Sequence, residues 1–312
     1  MPLARRAVID IGTNSVKLLV ADVSGRTVVP VLERSEQTRL GEGFYVSHVL
    51  QPRAITRTAQ SIANFVSQAT ELRPNSIRVI ATSAARDAVN QSELVRAVEE
   101  ASGLKVEVIS GEQEAQWAFA GVTSDCLLAD RPLLILDVGG GSTELILGQT
   151  DVQHFRESYP LGTVRMLEQL KPSDPPTESE WRDCETRLLS FCRKELHPRL
   201  DPALKRFAPG TVQLVGTGGT TTILARIQLQ TNAFDRVRIE ATRLSRADVN
   251  RQREHLWSLP LQQRKQITGL PPNRADVILM GVAIFAVLMN EFGFDEVCVS
   301  TRGLRFAAVM DV

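Results

Sequence analysis

Short apolar runs that end in glycine and hydroxyl residues recur along the chain and predict strands joined by tight turns. The clearest case is PLLIL at 132–136, which is followed by DVGGGSTE and a second apolar run at 145–147. A short apolar run bounded by turn residues is typical of a buried strand. Consecutive glycines allow positive φ and a close approach of the backbone to a ligand. The pattern predicts a strand-turn-strand unit over 132–148, which either binds a ligand or is a plain hairpin.

The same pattern occurs near the N-terminus, in AVIDIGTNSVKLLVADV at 7–23. Four pairs of residues align without a gap at a constant separation of 127 positions: Asp10 with Asp137, Gly12 with Gly139, Ser15 with Ser142, and Leu18 with Leu145. Each half also contains a strand that runs into small residues and then a helix, at 77–89 and at 212–225. The repeat predicts two similar halves that offer their turns to one cleft.

Helical spacing of apolar residues predicts a helix over 52–72 and a second one over about 85–101, which Gly103 ends. The longest apolar run, ILMGVAIFAVLM at 278–289, has 12 residues. A membrane-spanning helix needs roughly 20 residues, so this run predicts a buried helix. Thr177 and Glu180 have the spacing of a capping box at a helix start.

Composition narrows the classes of protein. The chain has 36 basic and 36 acidic residues, so its global charge predicts no nucleic acid or other polyanion as partner. The four cysteines form no CxxC pair, which argues against structural disulfides and zinc. The first strand begins almost at once, without the apolar core of a signal peptide, and we expect a cytoplasmic protein. Residues 236–274 carry nine basic and three acidic side chains, which either form a solvated face or guide a phosphate chain into the cleft.

The turns are candidates for phosphate binding, because successive backbone N–H groups form an anion-binding concavity and a helix N-terminus attracts anions. The candidate phosphate-binding residues are Asn14, Ser15, Lys17, Gly139, Gly140, Gly141, Ser142, Thr143, Gly218, Gly219 and Thr220. For Lys17, a solvated surface charge is the alternative. Asp137 and Glu144 flank the central turn, and carboxylates beside phosphate are typical ligands of Mg²⁺ or Mn²⁺. Asp10 is a candidate third ligand.

The segment ISGEQEA at 109–115 predicts a helix start, where Ser110 is the N-cap and Gln113 completes a capping box. Glu114 then lies in the first turn of that helix. Acidic residues are favoured there by the helix dipole alone, so the residues themselves leave catalysis and helix stabilisation open as roles for Glu114.

Six motifs in a fixed order carry a resemblance to a known family: DIGTNSVKLLV, ATSAARDAVN, ISGEQEA, DVGGGSTEL, VGTGGTTTILA and VSTRGLR. Together they span nearly the whole chain and resemble the exopolyphosphatase and guanosine pentaphosphate phosphohydrolase family, in its short two-domain form. That family belongs to the actin, hexokinase and Hsp70 superfamily. The resemblance implies an α/β fold of two ribonuclease-H-like (actin-like ATPase) domains around a central cleft. The expected domains are 1–124 and 125–312, with 296–312 near their junction.

The resemblance also implies roles for single residues. The catalytic glutamate of the family corresponds to Glu114 in this sequence. The resemblance also implies that Arg86 binds phosphate, and a solvated surface charge is the alternative for Arg86. The family has a second glutamate at the position of Gln113, so this chain departs from the motif there. Gly162 and Arg165 are expected near the site.

The implied activity is hydrolysis of the terminal phosphoanhydride of polyphosphate, with release of orthophosphate. Short chains are the expected substrates because longer family members have further domains. Guanosine pentaphosphate 5′-phosphohydrolase, a non-hydrolytic phosphate or alarmone sensor, and a kinase of the same fold are the alternatives. We expect no membrane partner, and a homodimer is left open.

Overall fold

Two mixed β-sheets carry the two halves of the chain in the computed structural model, which describes residues 3–311. The strands of the first sheet are β1 (Ala4–Ile11), β2 (Val16–Ser24), β3 (Thr27–Glu36), β4 (Ser76–Ala81) and β5 (Val106–Val108). The strands of the second sheet are β6 (Leu133–Val138), β7 (Thr143–Gln149), β8 (Val152–Tyr159), β9 (Gln213–Thr217), β10 (Arg243–Ser245) and β11 (Glu296–Val299). The sheet orders are β3-β2-β1-β4-β5 and β10-β11-β9-β6-β7-β8.

Helices cover the faces of both sheets. In the first half they are α1 (Phe44–Ser47), α2 (Pro52–Glu71), α3 (Ser83–Arg86), α4 (Gln91–Ser102) and α5 (Gly111–Val122). In the second half they are α6 (Thr163–Leu170), α7 (Glu178–Phe191), α8 (His197–Leu204), α9 (Gly218–Gln228), α10 (Arg236–Glu240), α11 (Arg246–Ser258), α12 (Leu261–Arg264), α13 (Ile278–Phe292) and α14 (Leu304–Met310). A π-helical turn (Cys192–Leu196) joins α7 to α8, and a 3₁₀ turn (Pro272–Arg274) precedes α13.

The two sheets repeat one topology, as the sequence repeat predicts. In each sheet the first strand pairs antiparallel with the second and parallel with a later strand, β1 with β2 and β4, and β6 with β7 and β9. The pairing register breaks between Val20 and Ala21 in the first sheet and between Leu147 and Gly148 in the second. These two irregularities are again 127 positions apart, so the repeat extends to details of strand pairing.

The two predicted strand-turn-strand units are confirmed, and their turns have the same geometry. The N–H of Gly12 donates to the carbonyl of Ser15 at 3.0 Å, and the N–H of Gly139 donates to that of Ser142 at 3.0 Å. Gly141 has no room for a side chain, because a Cβ there would lie 2.8 Å from the hydroxyl of Thr13. The central turn is therefore held against the N-terminal turn by close contact.

Two predicted details of the helices are wrong. The helix expected over 85–101 is divided into α3 and α4, because the intervening segment is tied to another loop: the side chain of Asn90 binds both the N–H and the carbonyl of Leu50. At the start of α5, Ser110 accepts from the N–H of Gln113 as expected. The side chain of Gln113, however, donates to Gln116 rather than back to the N-cap, so the capping box is incomplete.

Other predicted helices are confirmed. Helix α2 covers the segment expected at 52–72, and Thr177 with Glu180 forms the predicted capping box of α7. All residues from Ile278 to Met289 are buried, as expected for a core helix. Within residues 3–311, no helix combines the length and the apolarity that crossing a membrane requires.

The chain passes twice between the two halves. Strand β11 lies in the second sheet, but the helix that follows it, α14, packs on α5 and on the first sheet. Phe306 and Val309 of α14 are buried in one cluster with Val8, Leu19 and Trp117. The domain boundary after residue 124 stays a prediction, and α14 contributes to the core on the N-terminal side of that boundary.

Candidate active site

A cavity between the two sheets brings together turns from both halves and four carboxylates. Asp10, Glu114, Asp137 and Glu144 all line it. The predicted phosphate-binding residues that line the same cavity are Asn14, Ser15, Lys17, Gly139, Gly140, Gly141, Ser142, Gly219 and Thr220. We call this space the central cavity.

Three predicted phosphate-binding residues are not brought into the central cavity. Thr143 is fully buried, and its hydroxyl donates to the carbonyl of Leu161 instead. Gly218 lines the neighbouring spaces beside Lys17. Arg86 lines an adjoining cavity and contacts the central one through Glu114. The sequence pattern predicted the turns, but it could not show that the Thr143 side chain faces the core or that Arg86 and Gly218 lie in adjoining spaces.

Helix α5 places Glu114 at the edge of the central cavity. Arg86 donates to Oε2 of Glu114 at 3.0 Å and to the carbonyl of Ile109 at 3.2 Å, so it holds the carboxylate and the start of the helix together. Burial raises the pKa of Glu114 to about 7, although Arg86 acts in the opposite direction. Asp10 and Asp137 add to the increase by repulsion. A carboxyl group with such a pKa can both accept and donate a proton near neutrality.

Burial disfavours the ionised form of the other three carboxylates as well. Burial raises the pKa of Asp137 to about 6, and Lys17 partly opposes this. Burial, Glu114 and Asp137 raise the pKa of Glu144, even though the hydroxyl of Ser158 donates to its Oε1 at 2.7 Å. Burial also raises the pKa of Asp10. Additional positive charge in the central cavity would favour the ionised form of all of them.

The donor set of the central cavity fits a hard divalent cation. Oδ1 of Asp10 is buried and has no hydrogen-bond partner, so an oxygen is available for a ligand. Among residues 3–311, no group of three or more His, Cys, Asp and Glu side chains is arranged to hold a metal by itself. Mg²⁺ is commonly held by one or two carboxylates together with substrate phosphates and water, which agrees with this arrangement.

Two arginines that the sequence analysis did not select reach the same region. Nη2 of Arg274 donates to the hydroxyl of Ser15 at 2.8 Å, and burial lowers the pKa of Arg274 to about 10. Nη1 of Arg305 donates to the carbonyl of Leu18 at 2.9 Å. The motif VSTRGLR contains Arg305 and could have identified it as a site residue. Arg274 follows two prolines in a segment without a motif. Both supply positive charge beside Lys17.

The basic segment 236–274 does not line the central cavity as a whole. Of its basic residues, Arg274 alone lines that cavity within the described part of the chain. Most of the others are paired with carboxylates elsewhere: Arg236 with Glu33 and Glu240, Arg246 with Asp295, Arg251 with Asp248, Arg253 with Glu254, and Arg264 with Asp174. The segment therefore does not line the central cavity as a continuous basic path, and only Arg238, Arg243 and Arg251 of its basic residues are exposed, as the alternative of a solvated face expects.

The sequence profile described as "Ppx/GppA phosphatase family" matches residues 19–311. The chain belongs to this family. Exopolyphosphatase 2 of Mycobacterium tuberculosis (strain ATCC 25618 / H37Rv) is 33% identical over 318 residues, which cover 97% of this chain and 97% of that protein.

Solved structures give the same result. The PPX-GPPA enzyme of Aquifex aeolicus superimposes with a TM-score of 0.79 at 30% identity and covers 100% of both chains. An exopolyphosphatase from Cytophaga hutchinsonii superimposes with a TM-score of 0.86 at 26% identity, covering 97% of this chain and 96% of the other.

These comparisons confirm the family recognised from the motifs and the fold class predicted with it. The chain is an α/β protein with two ribonuclease-H-like (actin-like ATPase) domains around a central cleft. The description of the family as phosphatases also confirms the predicted class of enzyme, a hydrolase of phosphate bonds.

Proposed function

We propose that this protein is an exopolyphosphatase, which hydrolyses the terminal phosphoanhydride of inorganic polyphosphate and releases orthophosphate. The observation that carries this proposal is that one cavity contains Glu114 together with the glycine turns of both halves. Membership of the Ppx/GppA phosphatase family and the similarity to exopolyphosphatases support it. Short chains are the expected substrates, and guanosine pentaphosphate is the alternative substrate within the same family.

In this proposal the terminal phosphate lies between the two hairpin turns. The backbone N–H groups around Gly140 and Gly141 and the hydroxyls of Ser15 and Ser142 donate hydrogen bonds to its oxygens. Such fixed donors stabilise the charge on a transferring phosphoryl group without having to reorganise during the reaction. Thr220, whose hydroxyl already donates to the carbonyl of Val138, holds the third turn against the second.

Glu114 orients the attacking water and accepts its proton. Arg86 engages Oε2 of Glu114, which fixes the carboxylate and directs its other oxygen for a water molecule. The oxygen of the water bonds to the terminal phosphorus, and the bond from that phosphorus to the bridging oxygen breaks. One proton passes to Glu114, and the bridging oxygen stays with the shortened chain. Phosphoryl transfer of this kind needs positioning and charge neutralisation rather than a covalent intermediate.

Asp137 and Glu144, with Asp10 as a third candidate, would hold Mg²⁺ or Mn²⁺. The cation would supply positive charge to the phosphate oxygens when bound. The carboxylates of this chain would keep their ionised form in its presence, because a nearby positive charge lowers their pKa.

The direct test measures orthophosphate released from tripolyphosphate, long-chain polyphosphate and guanosine pentaphosphate, with Mg²⁺ and with a chelator. Mg²⁺-dependent release from at least one polyphosphate is expected. Release from guanosine pentaphosphate alone would replace the proposed substrate with the alternative, and binding without any release would leave the sensor as the function.

Glu114→Gln tests the mechanism, and Glu112→Gln is its matched control. Glu112 lies in the same helical turn, but its side chain is 73% exposed and pairs with Arg156. We expect Glu114→Gln to lower kcat by about 10³-fold, the size typical of a lost general base, with polyphosphate binding nearly intact. Glu112→Gln should retain most of the activity. Unchanged turnover in Glu114→Gln would remove this residue from the mechanism.

Three further expectations from the sequence stay predictions: a cytoplasmic location, the absence of nucleic acid and membrane partners, and a homodimer as one option. Cell fractionation tests the first, and light scattering of the purified protein tests the last. The domain boundary between residues 124 and 125 is likewise a proposal.

A further inference from the structure

Two larger cavities adjoin the central cavity and differ in charge. The cationic cavity is lined by five basic side chains and one acidic side chain: Lys17, Arg34, Arg226, Arg274, Arg305 and Glu33. The balanced cavity is lined by three basic and three acidic side chains: Arg86, Arg156, Arg165, Asp87, Glu112 and Glu157. Their volumes of about 420 Å³ and about 530 Å³ both exceed the central one of about 100 Å³, so size does not distinguish them.

Three guanidinium groups of the cationic cavity lack a carboxylate partner. Arg34, Arg226 and Arg274 take part in no ion pair among residues 3–311. Arg34 donates to the carbonyl of Glu33 at 2.9 Å, and Arg226 donates to the carbonyl of Asn232 at 2.6 Å. Nε of Arg226 is buried without any hydrogen-bond partner. Arg226 and Arg274 are partly buried, whereas Arg34 is exposed at the rim of the cavity. Guanidinium groups without a carboxylate partner favour an anionic ligand.

The cations of the balanced cavity are already neutralised. Arg165 binds Asp87 at 3.0 Å, and Arg156 binds Glu112. Arg86 is engaged by Glu114. A phosphate chain entering this cavity would have to break these pairs or lie beside their carboxylates, and repulsion from a carboxylate opposes binding of a polyanion.

The two hairpin turns differ in charge in the same direction as the two cavities. Lys17 pairs with Asp10 in the β1–β2 register, and Glu144 pairs with Asp137 in the β6–β7 register. Lys17 and Glu144 therefore occupy equivalent positions, 127 residues apart, with opposite charges. Lys17 faces the cationic cavity, whereas Glu144 binds Ser158, which lines the balanced one. The charge difference continues into the central cavity.

We propose that the phosphates behind the reacting one lie in the cationic cavity, where Arg34 and Arg226 bind the chain and set its preferred length. This inference rests on the proposed function, since it assigns a path to the same polyphosphate substrate. The shared lining of Ser15, Lys17 and Arg274 makes the path continuous from the central cavity. Arg34 and Arg226 contact neither the terminal phosphate site nor Glu114, so they act on binding rather than on the chemical step.

The test compares Arg34→Gln and Arg226→Gln with Arg156→Gln, which removes a cation from the balanced cavity. Arg246→Gln is the surface control, because Arg246 pairs with the exposed Asp295 and lines neither cavity. We expect each cationic-cavity variant to lower kcat/KM for long-chain polyphosphate by about tenfold, through KM, and to affect tripolyphosphate less. High salt should reduce the difference from the unchanged protein, because it screens the charges. Thermal melting checks that each variant is folded.

Equilibrium binding of long-chain polyphosphate separates this inference from the proposed function. If the unchanged protein releases phosphate but Arg34→Gln and Arg226→Gln leave KM and affinity as they were, the chain path is wrong and the function stands. A larger loss in Arg156→Gln would place the chain in the balanced cavity. If no phosphate is released but both variants weaken binding, the path stands and the function is wrong.

One further outcome would overturn the assignment of the cationic cavity to phosphates. Phe234, whose ring is half exposed, lines this cavity and could stack on a base. If Arg226→Gln weakened binding of guanosine pentaphosphate and left polyphosphate binding unchanged, the cavity would hold a nucleoside instead. If Arg226→Gln lowers the affinity for polyphosphate, a nucleoside site in this cavity is excluded.

Discussion

The proton of Glu114 is controlled by two opposing influences. Burial disfavours the carboxylate, and Arg86 at 3.0 Å favours it, with a net pKa of about 7. In the unfolded chain a glutamate has a pKa near 4.3. Between these values the folded protein binds the proton more tightly than the unfolded protein does, so stability falls as pH rises through this window and is not regained above it.

Glu114→Gln is therefore expected to stabilise the metal-free protein at pH 8 more than at pH 5. The shift corresponds to about 3 kcal/mol at most, because one pKa unit is worth about 1.4 kcal/mol. Chemical denaturation in the presence of a chelator measures the free energy of unfolding at both pH values. In Glu112→Gln, where the side chain is exposed, the change should stay within about 0.5 kcal/mol at each pH. An equal effect of Glu114→Gln at pH 5 and pH 8 would contradict the raised pKa.

At the scale of elements, α5 is positioned by close contact with the segment that precedes α14. A Cβ on Gly121 would overlap the carbonyl group of Gly303 and lie 3.0 Å from its Cα. Both obstacles are backbone atoms, which cannot rotate away as a flexible side chain can. Because α5 carries Glu114 on its first turn, the same contact helps to fix the position of the Glu114 side chain in the cleft.

Gly121→Ala is predicted to reverse the usual effect of this substitution. In an exposed helix, alanine in place of glycine stabilises by about 1 kcal/mol, whereas overpacking costs about 1–3 kcal/mol. We expect a net loss of up to about 2 kcal/mol and a lower kcat, measured by denaturation and phosphate release. Gln116→Ala, at an exposed position of the same helix, should leave both nearly unchanged. A stabilised Gly121→Ala protein would show that α5 can move away from Gly303 at little cost.

The helices and turns also show which structural features could be predicted from the sequence alone. The hairpin turns were predictable because their signal is local: an aspartate, glycines and a serine at fixed spacing. The break between α3 and α4 was not, because it depends on Asn90 binding Leu50, 40 residues away. Glu114 stood out only through the family resemblance, since the helix dipole alone explains an acidic residue there. Arg274 reaches Ser15 across 259 positions, and no local pattern marks such a contact.

For the whole molecule, polar contacts join the loop at residues 39–45 of the first half to the second half of the chain. Glu168 of α6 accepts from the N–H groups of Gly43 at 2.6 Å and Tyr45 at 3.0 Å. The guanidinium of Arg165 lies 4.2 Å from the centre of the Tyr45 ring, and Arg39 of the same loop binds Asp276 at 3.0 Å. The relative position of the hairpin turns therefore depends on side chains as well as on the chain connections.

Glu168→Ala should loosen one side of the cleft. The substitution leaves two backbone donors without their partner, which costs about 1 kcal/mol where water can partly replace it. Hydrogen exchange should become faster at Tyr45 and its neighbours, and the KM for polyphosphate should rise. Glu100→Ala, which removes an exposed i,i+4 pair with Arg96, serves as the control. Unchanged exchange at residues 43–45 would mean that Glu168 does not hold the cleft.

The placement of α14 has a consequence for the order of events during synthesis. Five residues of α14, Leu304, Phe306, Ala307, Ala308 and Val309, complete a cluster whose other buried residues come from the first 117 positions. A ribosome-bound chain that has emerged only through its N-terminal half still lacks these side chains and exposes the apolar surface that they cover. The N-terminal half is therefore expected to reach its native protection against proteases only after translation has passed Val309, later than its position in the gene would suggest.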